Sequence, residues 1–171
     1  MRLFIAVLLS PEICEALSDV QDRLYRRGVR GNYTNTENLH LTLAFIGDYS
    51  DPHDVLEAMA SVPFVPFPLA LEGIGCFRDL WWAGIRKSDA LETYVRRLRH
   101  ALSEADIPFD KKRFSPHITL IRKASGTLPE TRTEPASMTV ERISLMRSDR
   151  GRNGMIYTEL GVREAEASDP E

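Results

Sequence analysis

The chain is predicted to be an α+β protein built on antiparallel sheets, and three observations lead there. Strand-type apolar runs alternate with three amphipathic helical stretches, yet no Gly-rich phosphate loop opens any helix, which argues against a doubly wound parallel sheet. Later strand runs come in hairpin-like pairs, residues 69–74 with 81–85 and residues 137–146 with 155–162. Finally, His40-Leu41-Thr42-Leu43 and His117-Ile118-Thr119-Leu120 spell nearly the same word 77 residues apart, each after a helix and a loop. That recurrence reads as an approximate internal duplication contributing one histidine from each half.

The elements follow in order. Residues 1–9 are apolar but short, lack a small-residue cleavage site and run straight into a helix start, so they read as a buried first strand rather than a signal peptide. Ser10 is an N-cap with Pro11 at the first helical position, and Ile13, Ala16, Leu17, Val20 and Leu24 recur at helical spacing until Gly28. Residues 30–38 are polar and turn-rich, delivering the chain to a strand over 39–46 that Gly47-Asp48 ends. Asp51-Pro52 starts a shorter helix carrying Val55, Leu56 and Met59, before Pro63, Pro66 and Pro68. After the 69–74 and 81–85 strands, Ser88-Asp89 opens a third helix with the stripe Leu91, Tyr94, Val95, Leu98 and Leu102. Arg96, Arg97 and Arg99 fall off that stripe and read as surface. A loop through Pro108 leads to the second His-x-Thr strand, residues 125–135 form a Gly/Pro/Thr-rich loop, and two strands close the domain. One domain is expected over residues 1–163, with 164–171 an unstructured acidic tail.

Composition narrows the class. At 171 residues with 43% hydrophobic content the chain can bury a core, and its net charge of −3 excludes a broad basic surface that coats nucleic acid. Positive charge is instead local, at Lys111-Lys112-Arg113, at Arg122-Lys123 and at Arg147, Arg150 and Arg152; the first two groups flank the second motif. No apolar run approaches the roughly 20 residues that cross a bilayer. Cys14 and Cys76 form neither a metal-ligand spacing nor a disulfide framework. A cytoplasmic, disulfide-free monomer is therefore expected.

Successive side chains on a strand point to opposite faces, so each motif presents an imidazole beside a hydroxyl on one side. Either histidine alone would read as an ordinary hydrogen-bonded strand residue. If the two strands lie together, the combined site holds two proton-transfer groups and two hydroxyl donors, which suits acid-base chemistry on a phosphodiester. Two histidines without nearby carboxylate or cysteine partners make a poor zinc site, and no metal or cofactor is expected. His53 and His100 lack a partner threonine and read as surface.

The stretches Asn38-Leu39-His40-Leu41-Thr42-Leu43-Ala44-Phe45-Ile46-Gly47 and Arg113-Phe114-Ser115-Pro116-His117-Ile118-Thr119-Leu120-Ile121-Arg122 resemble the signature of the 2H phosphoesterases, in particular the RNA 2′,3′-cyclic phosphodiesterases, also called 2′-5′ RNA ligases. The likeness extends to Arg2-Leu3-Phe4-Ile5-Ala6, to residues 73–84 and to Gly154-Met155-Ile156-Tyr157. It departs where Lys112-Arg113 precede the motif phenylalanine and where Tyr33 stands ahead of the first motif. The resemblance implies a bilobal fold with two antiparallel sheets around a central groove and helices outside. It also implies metal-independent hydrolysis of a terminal ribose 2′,3′-cyclic phosphate on RNA to a 2′-phosphate. By the same analogy His40 is the acid on the leaving oxygen and His117 the base on water, and a ligation in reverse would exchange those roles. Thr42 and Thr119 would bind nonbridging phosphate oxygens, and Arg122 matches the family's charge-neutralising arginine. Phe45 and Phe114 are candidate base or ribose contacts, although core packing is the commoner role for such rings. Two rivals use the same residues: a phosphodiesterase for 2′-5′ oligonucleotides or small cyclic nucleotides, and a non-catalytic module that holds a nucleotide such as AMP.

Overall fold

A computed structural model describes residues 1–167. In chain order the elements are β1 (Arg2–Leu8), α1 (Pro11–Arg26), β2 (Asn32–Tyr33), a 3-10 turn (Thr36–Asn38), β3 (His40–Asp48), α2 (Pro52–Ser61), β4 (Phe67–Phe77), β5 (Leu80–Ile85), α3 (Asp89–Glu104), β6 (His117–Arg122), β7 (Ser137–Val140), β8 (Arg142–Gly151) and β9 (Gly154–Glu164). They form a four-stranded sheet in the order β3-β1-β8-β9 and a five-stranded sheet in the order β2-β6-β5-β4-β7. Every pairing is antiparallel, in line with the predicted class.

The duplication is visible in the chain trace. In each half a strand runs into a capped helix and returns antiparallel beside itself with a histidine at its start. β1-α1-β3 places His40 opposite Leu8, and β5-α3-β6 places His117 opposite Gly84. Both helices span 16 residues, and each is capped by a serine whose side chain accepts from the third residue on, Ser10 from Ile13 N–H and Ser88 from Leu91 N–H. The helices then cross over. α1 packs on β6 and β7 of the other sheet, while α3 packs on α2, β3 and β4.

Alternation explains the core. Leu3, Ile5 and Val7 of β1, Leu41 and Leu43 of β3, and Ile118 and Leu120 of β6 are fully buried and join the α1 and α3 stripes in one cluster. Phe4, Ala6, Met146 and Tyr157 form a second, smaller cluster on the opposite face of the first sheet. Among the described residues no helix is long and apolar enough to cross a membrane.

Four expectations are corrected. The run 137–146 is two strands, because the chain leaves one sheet at Val140 and enters the other at Arg142, with only Glu141 between. The polar segment before the first motif contains β2, which pairs with β6, and the 3-10 turn. Arg99 is half-buried and hydrogen-bonded rather than free on the surface. Chain order also persists past 163: β9 runs through Glu164, Ala165 N–H donates to Glu141 and Glu166 N–H to Phe64. The rest of the expected tail, residues 168–171, lies outside the described residues.

Candidate active site

Both motif histidines are held in the same way. The Nδ1–H of His40 donates to the Asn38 carbonyl at 2.7 Å, and that of His117 donates to the Ser115 carbonyl at 2.7 Å. A bond at Nδ1 fixes the tautomer and leaves Nε2 as the working nitrogen. Nε2 of His40 lies 2.9 Å from Thr42 Oγ1, so the hydroxyl can donate to it. Among the described residues none bonds Nε2 of His117. Asn38, which orients His40, is itself buried and anchored by its amide donating to Met155 O at 2.8 Å.

The two halves meet in one cleft of about 360 Å³, lined by Thr42 and Phe45 of β3, Phe77 of β4, Phe114, Ser115 and His117 of the second motif, and the charged side chains of Arg99, Asp110, Lys112 and Arg113. A hollow of about 940 Å³ lies elsewhere, between α2 and α3, but it is walled by scattered surface charges and His100 is the only histidine among its lining residues. Chemistry rather than size selects the smaller cleft.

Electrostatics tie the halves together. Burial pushes the His40 imidazole below its ordinary value of 6.5; the hydrogen bond to Asn38 opposes this, and the nearby Arg122 and His117 add to it. Arg122, exposed at the end of β6, is thus close enough to act on an imidazole from the other half. Thr119 is half-buried two residues after His117, as alternation requires.

Aromatic rings wall each histidine. Phe4 and Tyr157 stand 5.0 and 5.2 Å from the His40 ring, and Phe77 and Trp82 stand 5.5 and 6.4 Å from the His117 ring. The sequence does not single out Trp82, although period two marks it: Trp81 and Ala83 are buried in the core, so the residue between them lies on the opposite face of β5, on the side of the His117 ring. Its ring lies over Gly75, where an added Cβ would come within 2.4 Å of it. Phe45 departs from the core role: it is 37% exposed in the cleft wall with the Arg2 guanidinium 5.2 Å from its ring. Phe114 does pack on the core, beneath Arg99 at 5.6 Å. Among the described residues no three His, Cys, Asp or Glu side chains converge as a metal-ligand set.

A strand-helix-strand unit repeated with a histidine and a threonine on the returning strand of each copy is the architecture of the two-histidine phosphoesterases; of those four residues Thr42 and His117 line the cleft, while His40 and Thr119 stand outside its lining. Within that class the chain belongs to the 2′-5′ RNA ligase superfamily, whose family model matches residues 9–152. It is 28% identical over 175 residues to the RNA 2′,3′-cyclic phosphodiesterase of Thermotoga maritima, covering 94% of this chain and 93% of that one. The RNA 2′,3′-cyclic phosphodiesterase of Aeropyrum pernix is 30% identical over 161 residues, covering 84% and 92%. Among solved structures, E. coli LigT superposes with a TM-score of 0.85 at 28% identity over 97% of this chain and 98% of that one, and it has also been solved with 3′-AMP and with phosphate.

Proposed function

We propose that the chain hydrolyses a ribose 2′,3′-cyclic phosphate at an RNA end to the 2′-phosphate, with His40 and His117 moving the protons. The observation that carries this reading is the shared cleft, which Thr42 from one half and His117 from the other line together. Its relatives' activity supports the same substrate class, and the structure of E. coli LigT complexed with 3′-AMP supports a nucleotide phosphate as ligand.

The strained diester opens when one imidazole takes a proton from water and the other gives one to the departing 3′ oxygen, each transfer contributing on the order of 10²–10⁴ in rate. His117, whose Nε2 faces the cleft free of internal bonds, takes the proton from water. His40 protonates the leaving oxygen: burial lowers its hold on a proton, so its imidazolium, once formed beside the anionic phosphate, is a ready donor. Thr42 and Thr119 donate to the nonbridging oxygens, and the Arg122 guanidinium offsets the charge that grows on them. With a 5′-hydroxyl end in place of water the same groups keep their roles: His117 takes the 5′-hydroxyl proton as that oxygen bonds to phosphorus, His40 protonates the departing 3′ oxygen, and a 2′-5′ bond results. Both proton transfers are assigned to imidazoles, so no metal is required.

The test is an oligonucleotide with a 2′,3′-cyclic end, with the product monoester identified. His40→Ala and His117→Ala are each expected to lose at least about 10²-fold in kcat, and chelator to change nothing. Turnover retained in both variants rejects the reading, as does tight AMP binding with no diester turnover in the parent.

A further inference from the structure

Buried polar side chains need partners, and two of them in this fold have the same kind of partner. Gln21 is buried on the otherwise apolar face of α1, and Arg99 lies half-buried on α3. Gln21 stands eleven residues past its helix cap Ser10, and Arg99 eleven past Ser88. Gln21 Nε2 donates to Leu120 O at 3.0 Å and to Thr34 O at 2.9 Å. Arg99 donates to Leu43 O from Nη2 at 3.2 Å and from Nε at 3.4 Å, and to Lys112 O from Nη1 at 2.7 Å. Leu43 and Leu120 are the same position, three residues past each motif histidine and next to each motif threonine.

Both positions are bulges. The pairing of β3 on β1 passes from Thr42↔Ala6 to Ala44↔Ile5 and skips Leu43; that of β6 on β5 passes from Thr119↔Trp82 to Ile121↔Trp81 and skips Leu120. A bulged residue leaves the ladder and bends its strand, which re-aims the side chains beside it. Its carbonyl then needs a donor. Leu120 O takes the Thr34 N–H at 2.9 Å as well as the Gln21 amide, and in both halves the side-chain donor comes from the helix of the other half: α1 belongs to the unit bearing His40 but holds the His117 strand, and α3 does the reverse.

Taking the proposed function as its basis, we infer that Gln21 and Arg99 are crossed positioning residues, each fixing the bulge that aims the opposite half's histidine and threonine at the phosphate. A misplacement near 1 Å at a reacting group can cost about 10²-fold in rate, so holding the bulges matters more to turnover than to folding.

The experiment compares Gln21→Met and Arg99→Met with the parent on the cyclic-phosphate oligonucleotide and follows the imidazole signals of His40 and His117 by NMR. Positioning predicts that each variant loses about 10- to 100-fold in kcat while KM stays within about threefold. Gln21→Met shifts the His117 signals and leaves those of His40 in place; Arg99→Met shifts those of His40. Arg99→Lys, which retains one donor for Leu43 O, recovers part of the loss, and Gln21→Asn serves if the methionine variant does not fold. A kcat within about twofold of the parent, or His40 signals that move with Gln21 and not with Arg99, overturns the inference. Activity in both His40→Ala and His117→Ala would instead bring down the functional reading beneath it, which these NMR shifts do not test.

Discussion

At His40 one contest sets the behaviour of the site: burial, with the neighbouring Arg122 and His117, disfavours its charge, while its bond to the Asn38 carbonyl favours it. Because the folded protein prefers neutral His40, this residue's contribution to stability is complete above about 6.5, the ordinary histidine value, and is lost as the pH falls from there through the lower folded value. The free protein should therefore show a His40 titration midpoint below 6.5, and inorganic phosphate should raise it by supplying a negative charge beside the ring; an unshifted midpoint in both conditions would contradict the placement of the anion. Since one imidazole must be neutral and the other protonated, kcat/KM should trace a bell against pH, and a profile flat from about pH 5 to 9 would contradict that. Thr42 carries its own expectation. Replacing it with valine keeps the β-branched shape but removes one hydrogen bond to a charged group, so kcat/KM should fall roughly 10- to 100-fold with little change in melting temperature.

Among the elements, the helices are set by local signals and the sheets by remote ones. Ser10→Ala and Ser88→Ala each remove a side-chain cap, at a cost of about 1 kcal/mol, which for a chain of this size lowers Tm by about 2–4 °C. Equal losses are expected because the two helices match in length and cap; a scan that shows no change for either would remove the caps from the list of stabilising features. These caps and apolar stripes were legible in the sequence because their partners lie within one or two turns. So were the two motif strands, whose alternation is local. Gln21 and Arg99 were not, since the carbonyls they hold lie 99 and 56 residues away and nothing in a helical stripe reveals a strand bulge elsewhere. β2 is two residues long and exists only through its pairing with β6. The change of sheet at Glu141 escaped for a related reason: Val140 and Ile143 are both buried, so apolar character persists while the layer it serves changes. Of the cleft lining, Thr42 and His117 lie in the two stretches that the sequence singles out, whereas the aromatic rings beside the histidines required knowing which strands neighbour them.

For the molecule as a whole, duplication did not produce two independent bodies. Each long helix packs against the sheet of the other half, and one core cluster runs through both. We therefore expect a single cooperative unfolding transition. Trp81 and Trp82 both sit on β5, so their fluorescence reports the second half, and it should melt together with the His40 NMR signal of the first; two separated midpoints would show that the halves fold apart. The passage through Glu141 bears on motion as well as on stability. A lone residue links strands in both layers, and its carbonyl takes the Ala165 amide at 2.8 Å, which stitches the two walls at one edge. Parting the walls there would break that bond, so the Ala165 amide is expected to exchange its hydrogen as slowly as the strand interiors, and rapid exchange would show that the seam opens.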